Sequence, residues 1–325
     1  MAISVTEPIG WALTCTGRML FKPFDWRKWF VLGFCAWLAN LGEGGGPNLR
    51  INLGGWGPGG PSGGGPGPFD PVLDWGREHV GLVILVAVVA LVALLAIGLV
   101  LTWLSSRGKF MFLDGVVRNR GAVVEPWHRF RTPGNSLFGF RVVFGLAALA
   151  VVLLVGGAGL AIAWPDIQAE RFGVMAVAGI AVGVLLFFSF VVIVAVIGAL
   201  LGDFVVPVMY LRGVRTLAAW GIFRREILPG NFWKIVLFYL MRIVLGLGIA
   251  VVAIVATCFT CCLTIIPYLG TVILLPIFVF MRSYSVYFLQ QFGPGWQFFP
   301  AMGGPSPAGV SEAGGSGASE RPGGT

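Results

Sequence analysis

Charge is what this chain has least of. Of its 325 residues 11% are charged and 57% are apolar, where soluble domains carry about a quarter charged residues. That shortage excludes a soluble globular fold, which could not hide so much apolar surface; a bilayer can. Histidine is nearly absent, with only His79 and His128. His79 follows Arg77 and Glu78 and reads as a solvated interfacial residue. His128 lies in the basic aromatic stretch Glu125-Pro-Trp-His-Arg-Phe-Arg131. Neither has a nucleophile or metal-ligand set beside it, as general-base work requires. The chain also lacks a Gly-x-Ser-x-Gly elbow, a Walker A sequence and a His-Glu-x-x-His pair. The expectation is therefore no catalytic residues, no cofactor and no metal.

Cysteine is scarce as well, with five in all. Three of them form Cys258-x-x-Cys261-Cys262, which is one ligand short of a zinc site and has no histidine close in sequence. They read either as small apolar core residues or as an exoplasmic disulfide, where that face is oxidising.

What the chain has in abundance is long apolar runs. Spanning the hydrocarbon takes roughly 20 apolar residues per helix. Gly81–Leu104, Leu137–Trp164, Gly173–Gly202 and Ile235–Thr257 meet that plainly, and Pro267–Gln290 meets it with one internal Arg282. Trp29–Leu41 is a shorter sixth run. With Asp25 as its cap, a helix over 26–42 would reach about 25 Å at ~1.5 Å per residue. The expected spans are 26–42, 81–104, 138–163, 179–202, 234–259 and 267–289, within a membrane domain of residues 23–290.

The formal net charge of +8 raises the question of nucleic acid, and its placement answers against it. Basic residues alternate along the chain as the positive-inside rule predicts. Arg18, Lys22, Arg27 and Lys28 precede the first run. Arg107, Lys109, Arg118, Arg120, Arg129 and Arg131 lie between the second and third, and Arg212, Arg215, Arg224, Arg225 and Lys234 between the fourth and fifth. The intervening segments hold only Arg50, Arg77 and Arg171. This pattern predicts six spans with both termini in the cytoplasm, and basic loops that adhere to anionic headgroups at about 1 kcal/mol per well-placed Lys or Arg. Membrane lipids are the expected partner.

A repeat runs through the chain. Phe112-Leu-Asp-Gly-Val116 returns 98 residues later as Tyr210-Leu-Arg-Gly-Val214, and Pro133-Gly-Asn135 returns 96 later as Pro229-Gly-Asn231. Spans 2–3 and 4–5 read as one hairpin used twice, related by an axis along the membrane normal. Pro23-Phe-Asp25 is a further copy of the Pro-x-Asp/Asn device. Pro interrupts the preceding helix, and Asp25, Asn135 or Asn231 then caps the next one. Asp114 and Arg212 occupy matching places with opposite charge and are expected to pair. The fold class is thus an all-α polytopic bundle of about six spans built from duplicated hairpins.

Outside the spans, Ile9, Trp11, Ala12, Cys15 and Met19 recur at helical spacing, an interfacial amphipathic helix within residues 1–22 with Thr6 as its cap. Residues 43–69 are Gly/Pro-rich and read as a flexible outer loop. Residues 300–325 have no apolar period and read as a disordered cytoplasmic tail. Pro207 is expected to kink the fourth span at its inner end. Gly179-x3-Gly183 and Gly198-x3-Gly202 are expected to let helices approach closely.

Three residues stand out as candidate sites. Arg242 lies about 16 Å along its helix from Asn231, where an arginine costs roughly 2.5–3.5 kcal/mol to insert. It reads as a site for a lipid phosphate or anionic substrate, or as a structural partner of Asp203 or of a helix-end carbonyl. Asp203 reads as a proton relay or as a paired carboxylate at the interface. Arg141, with Arg282, sits nearer the cytoplasm, within snorkelling reach. The functions that follow are a lipid-interacting scaffold or accessory subunit, or else a small permease or channel with a path near Arg242 and Asp203.

The strings Pro23-Phe-Asp-Trp-Arg-Lys-Trp-Phe-Val-Leu-Gly-Phe34, Gly134-Asn-Ser-Leu-Phe-Gly-Phe-Arg141, Asp203-Phe-Val-Val-Pro-Val-Met-Tyr210 and Pro267-Tyr-Leu-Gly-Thr271 through Gln291-Phe-Gly-Pro294 resemble a family of uncharacterised bacterial six-pass membrane proteins. More distantly the chain resembles the membrane domain joined to glycerophosphodiester phosphodiesterases. The resemblance covers about residues 5–298 and brings no catalytic residues. It implies a bacterial inner-membrane location.

Overall fold

The computed structural model describes residues 3–41, 79–168, 173–259 and 267–299. The described residues are helical and contain no strand. In chain order the helices are α1 (Glu7–Phe21), α2 (Trp26–Asn40), α3 (Val80–Arg118), α4 (Val124–Arg129), α5 (Arg131–Gln168), α6 (Val174–Leu200), α7 (Val206–Arg212), α8 (Thr216–Ile222), α9 (Phe232–Phe259), α10 (Pro267–Ile273) and α11 (Leu275–Gln290). The outer loop 43–69, the tail 300–325 and the Cys261–Cys262 pair lie outside the described residues. Cys258 is exposed, with a free thiol.

Four helical stretches are long and apolar enough to cross a membrane: Val80–Arg118, Arg131–Asp166, Val177–Arg212 and Phe232–Cys258. The two outer members of the expected six fall short. α2 has 15 residues. The stretch 267–289 is not one helix: Leu274 separates α10 from α11, and Pro276 stands in the first turn of α11, where its missing N–H would be an orphan in any case.

The packed core sits at one end of the long helices. The most apolar windows of the four are 0–11% buried within the protein, while the residues beyond them are enclosed. α11 runs through the middle. Its Leu275 and Val279 pack with Leu32 and Cys35 of α2 and Met111 of α3. Further along, Tyr284 and Phe288 join Phe204 and Phe238, with ring centroids of Phe238 and Phe288 4.6 Å apart. A fully buried aromatic of this kind contributes on the order of 1.5–3 kcal/mol.

Close approach explains two glycines. A Cβ on Gly108 of α3 would come within 2.6 Å of the Leu38 carbonyl carbon, so a glycine there lets the α2 backbone lie close against α3. A Cβ on Gly179 of α6 would lie 2.8 Å from the Gly159 carbonyl oxygen of α5. The expected close approach therefore holds at Gly179. At Gly198 a Cβ would meet nothing within 4 Å.

The capping device is real in one copy of three. Asp25 accepts from the Arg27 and Lys28 backbone N–H groups and starts α2. Asn231 instead donates its amide to the Ile227 and Pro229 carbonyls and accepts from Lys234 Nζ. It closes the turn before α9 by meeting carbonyls left open at the end of the preceding helical turn. Asn135 lies inside α5 and accepts from Arg107 and Trp103. Thr6 is at the N-cap of α1 without a side-chain bond to it.

Candidate functional site

The site begins with a proline. Pro207 has no N–H to give, so neither the Gly202 nor the Asp203 carbonyl has a partner one turn ahead. The chain widens there: the expected kink is a π-helical turn over Leu201–Val205, joining α6 to α7. Such turns recur at functional sites. Both free carbonyls are met by α11. Arg282 Nη1 donates to the Gly202 carbonyl at 2.8 Å, and Ser285 Oγ donates to the Asp203 carbonyl at 2.7 Å. Arg282 is thus a carbonyl partner in the protein interior, in place of the snorkelling expected of it.

The Asp203 side chain is turned to α9, where Arg242 Nη1 forms an ion pair with its Oδ2. The carboxylate side chain is 8% exposed and the arginine 32%. Tyr239, one turn before Arg242, has a buried hydroxyl close to the same carboxylate. Of the two structural roles weighed for Arg242, the geometry selects pairing with Asp203.

Arg141 does not join them. Its Nη1 donates to Ser105 Oγ of α3 at 3.2 Å, and Ser105 in turn donates to the Ala39 carbonyl that ends α2. Ser105 precedes Asp203 by the same 98 residues as Asp114 precedes Arg212. Ser105 and Asp203 each meet an arginine of the next long helix, Arg141 of α5 and Arg242 of α9.

Asp114 and Arg212 do not pair. Asp114 is fully enclosed and contacts Arg118 and Arg120, each at 3.1 Å, and accepts from the Tyr210 hydroxyl at 3.0 Å. The nearer arginines, on Asp114's own helix and just past it, reach the carboxylate first. Arg212 goes to Glu226 at 3.7 Å and stacks 5.3 Å over Trp296. Arg120 also bonds Glu125, which holds that carboxyl below its ordinary range. Both carboxylates push the Arg120 guanidinium above its own ordinary value.

Sequence reasoning missed the polar work of α11 and the place of Arg107. Arg107 is sandwiched between the rings of Trp103 and Trp127, 4.4 and 4.7 Å from their centroids, a cation–π arrangement. The one signal for α11 was its polar run Arg282-Ser-Tyr-Ser285, unusual inside an apolar stretch. Among the described residues no group of His, Cys, Asp and Glu could hold a metal ion.

The arrangement neutralises charge and ties helices together; it places no nucleophile against a base. Compared with known proteins, the chain matches the model of a family of unknown function (DUF7544) over residues 3–293. The match supports an uncharacterised family and carries no link to the phosphodiesterase-associated membrane domain. No curated protein and no solved structure matches it.

Proposed function

The chain belongs to that family of unknown function, and from its geometry we propose that it is a multi-pass membrane protein acting as a lipid-interacting scaffold or accessory subunit, with no catalytic step of its own. The observation that carries this reading is the contrast along the long helices. Their apolar windows are left uncovered by protein, while Arg242 pairs with Asp203, and Arg282 and Ser285 meet the Gly202 and Asp203 carbonyls. Such helices need lipid around them, and the basic loops at their inner ends fit anionic headgroups. Ser105 and Asp203 stand 98 residues apart, as Asp114 and Arg212 do, and each meets an arginine of the next long helix, which supports a duplicated hairpin. The alternation of Lys and Arg supports both termini in the cytoplasm, and a bacterial inner membrane is what the resemblance to six-pass membrane proteins implies.

One observation favours a second reading. A charged pair beside a π-helical turn, with Tyr239 facing it, has the ingredients of a polar path through a small permease. Reconstitution into liposomes separates the two. The scaffold reading expects no ion or solute flux above empty liposomes and retention of anionic lipid on extraction. Saturable flux abolished by Asp203→Asn would replace it with the permease.

A further inference from the structure

A cavity of about 80 Å³ opens between α1, the end of α3 and α11. A single water needs roughly 10–15 Å³ by the same measure, so the cavity has room for a small charged group. Its lining includes Trp11, Arg18, Met19, Asn119, Tyr287 and Phe299, and no carboxylate.

On the polar side of the lining, Arg18 and Asn119 offer the donors, while the Thr14 hydroxyl already donates to the Gly10 carbonyl. Arg18 has no ion pair among the described residues. Asn119 ends α3 in the left-handed region at φ 53°, and its Oδ1 accepts from Lys28 Nζ at 2.5 Å. That leaves its amide nitrogen as a donor with no partner among the described residues, and sets the Lys28 charge behind it. Cys15, also in the lining, adds no negative charge, because burial holds its thiol above its ordinary value.

The rest of the wall is aromatic. Trp11 lies 6.0 Å from the Tyr287 ring, which stacks on Phe299 at 4.5 Å. On the same helix Phe21, three residues past Arg18 and so its face neighbour, is more than half exposed. A bare cationic pocket would suit any anion. A cationic pocket next to an exposed apolar side chain suits an anion that carries an apolar tail.

We propose that this cavity binds a phosphate mono- or diester, with Arg18 and Asn119 as donors and Trp11, Tyr287 and Phe299 as its wall, the phosphate coming from a lipid headgroup or from a small soluble ester. A planar guanidinium and an amide N–H are the donors phosphate oxygens take best. The lipid source rests on the lipid-interacting reading above; the soluble source does not.

The test uses the full chain in nanodiscs of phosphatidylcholine with phosphatidylglycerol, read by native mass spectrometry after detergent release, with Arg18→Gln, Asn119→Ala and the equal-charge control Arg27→Gln. A second arm titrates inorganic phosphate and glycerol 3-phosphate into protein in phosphatidylcholine alone, reading the fluorescence that Trp11→Phe removes. The expected result is retained phosphatidylglycerol that falls about tenfold or more in Arg18→Gln, falls in Asn119→Ala, and is unchanged in Arg27→Gln. Saturable phosphate binding lost in Arg18→Gln, without retained lipid, supports the cavity with a soluble source. Equal retention by wild type and Arg18→Gln, or equal loss in Arg18→Gln and Arg27→Gln, overturns the cavity while leaving the lipid-interacting reading in place. Neither lipid nor phosphate bound by the wild type overturns both.

Discussion

Ser285 of α11 donates its hydroxyl to the main-chain carbonyl of Asp203, 2.7 Å away and 82 residues earlier in the chain. That carbonyl is free because Pro207 stands where its helical donor would be. Removing the hydroxyl leaves a buried acceptor unmet, at a cost of about 1–3 kcal/mol. Ser285→Ala should lower thermal stability accordingly. Pro207→Ala restores an N–H at the same place, so the two substitutions should interact: the cost of Ser285→Ala should shrink in the Pro207→Ala background. Strictly additive effects in the double-mutant cycle would show that the proline and the serine are unrelated.

Arg242→Leu should be costly for what it leaves behind. Asp203, nearly enclosed, would lose its counter-charge, and breaking a buried pair from one side costs about 3–5 kcal/mol. The arginine's partial exposure places the expected loss at the lower end. Asp203→Asn added to Arg242→Leu should recover part of it. Unfolding temperatures in detergent that do not improve in the double variant would contradict the pairing.

Glu125 sets a pH dependence with a definite sign. Its folded carboxyl is held below the ordinary value by Arg120, so its contribution is present above the ordinary glutamate range, near ~4.3, and is lost as pH falls through the folded value. The side chain faces solvent, so the effect is small and weakens in salt. Glu125→Gln should flatten the acid limb of the stability curve at low salt. Parallel limbs for wild type and variant would count against the Arg120–Glu125 contact.

Gly108→Ala should separate α2 from α3. The added methyl would fall within 2.6 Å of the Leu38 main chain, where no side chain can give way, and overpacking of this kind costs typically ~1–3 kcal/mol. Gly198→Ala, with open space around it, should be close to neutral. Comparable losses for both in a thermal unfolding series would mean that helix propensity, not contact, governs these sites.

The long apolar helices, the Asp25 cap and the break in α6 before Pro207 were legible from the chain alone, because each depends on residues within a turn or a run of one another. A lipid-facing helix needs an unbroken apolar stretch, and that requirement is written locally. An Asp two residues before a helix N–H can cap it whatever the rest of the fold does. The pairing of Asp114 was not legible. Repeat symmetry put Arg212 opposite it, but Arg118 and Arg120, local and able to reach a buried carboxylate, took its place.

What the sequence by itself determined is therefore the kind of protein: helices too apolar for water, joined by basic loops. What only the tertiary structure decided is which polar groups meet. Arg282 and Gly202, and Tyr210 and Asp114, are separated by 80 and 96 residues. No local rule brings them together. The packing of the helices in the core does so, and a buried polar group then takes whichever partner that packing puts within reach.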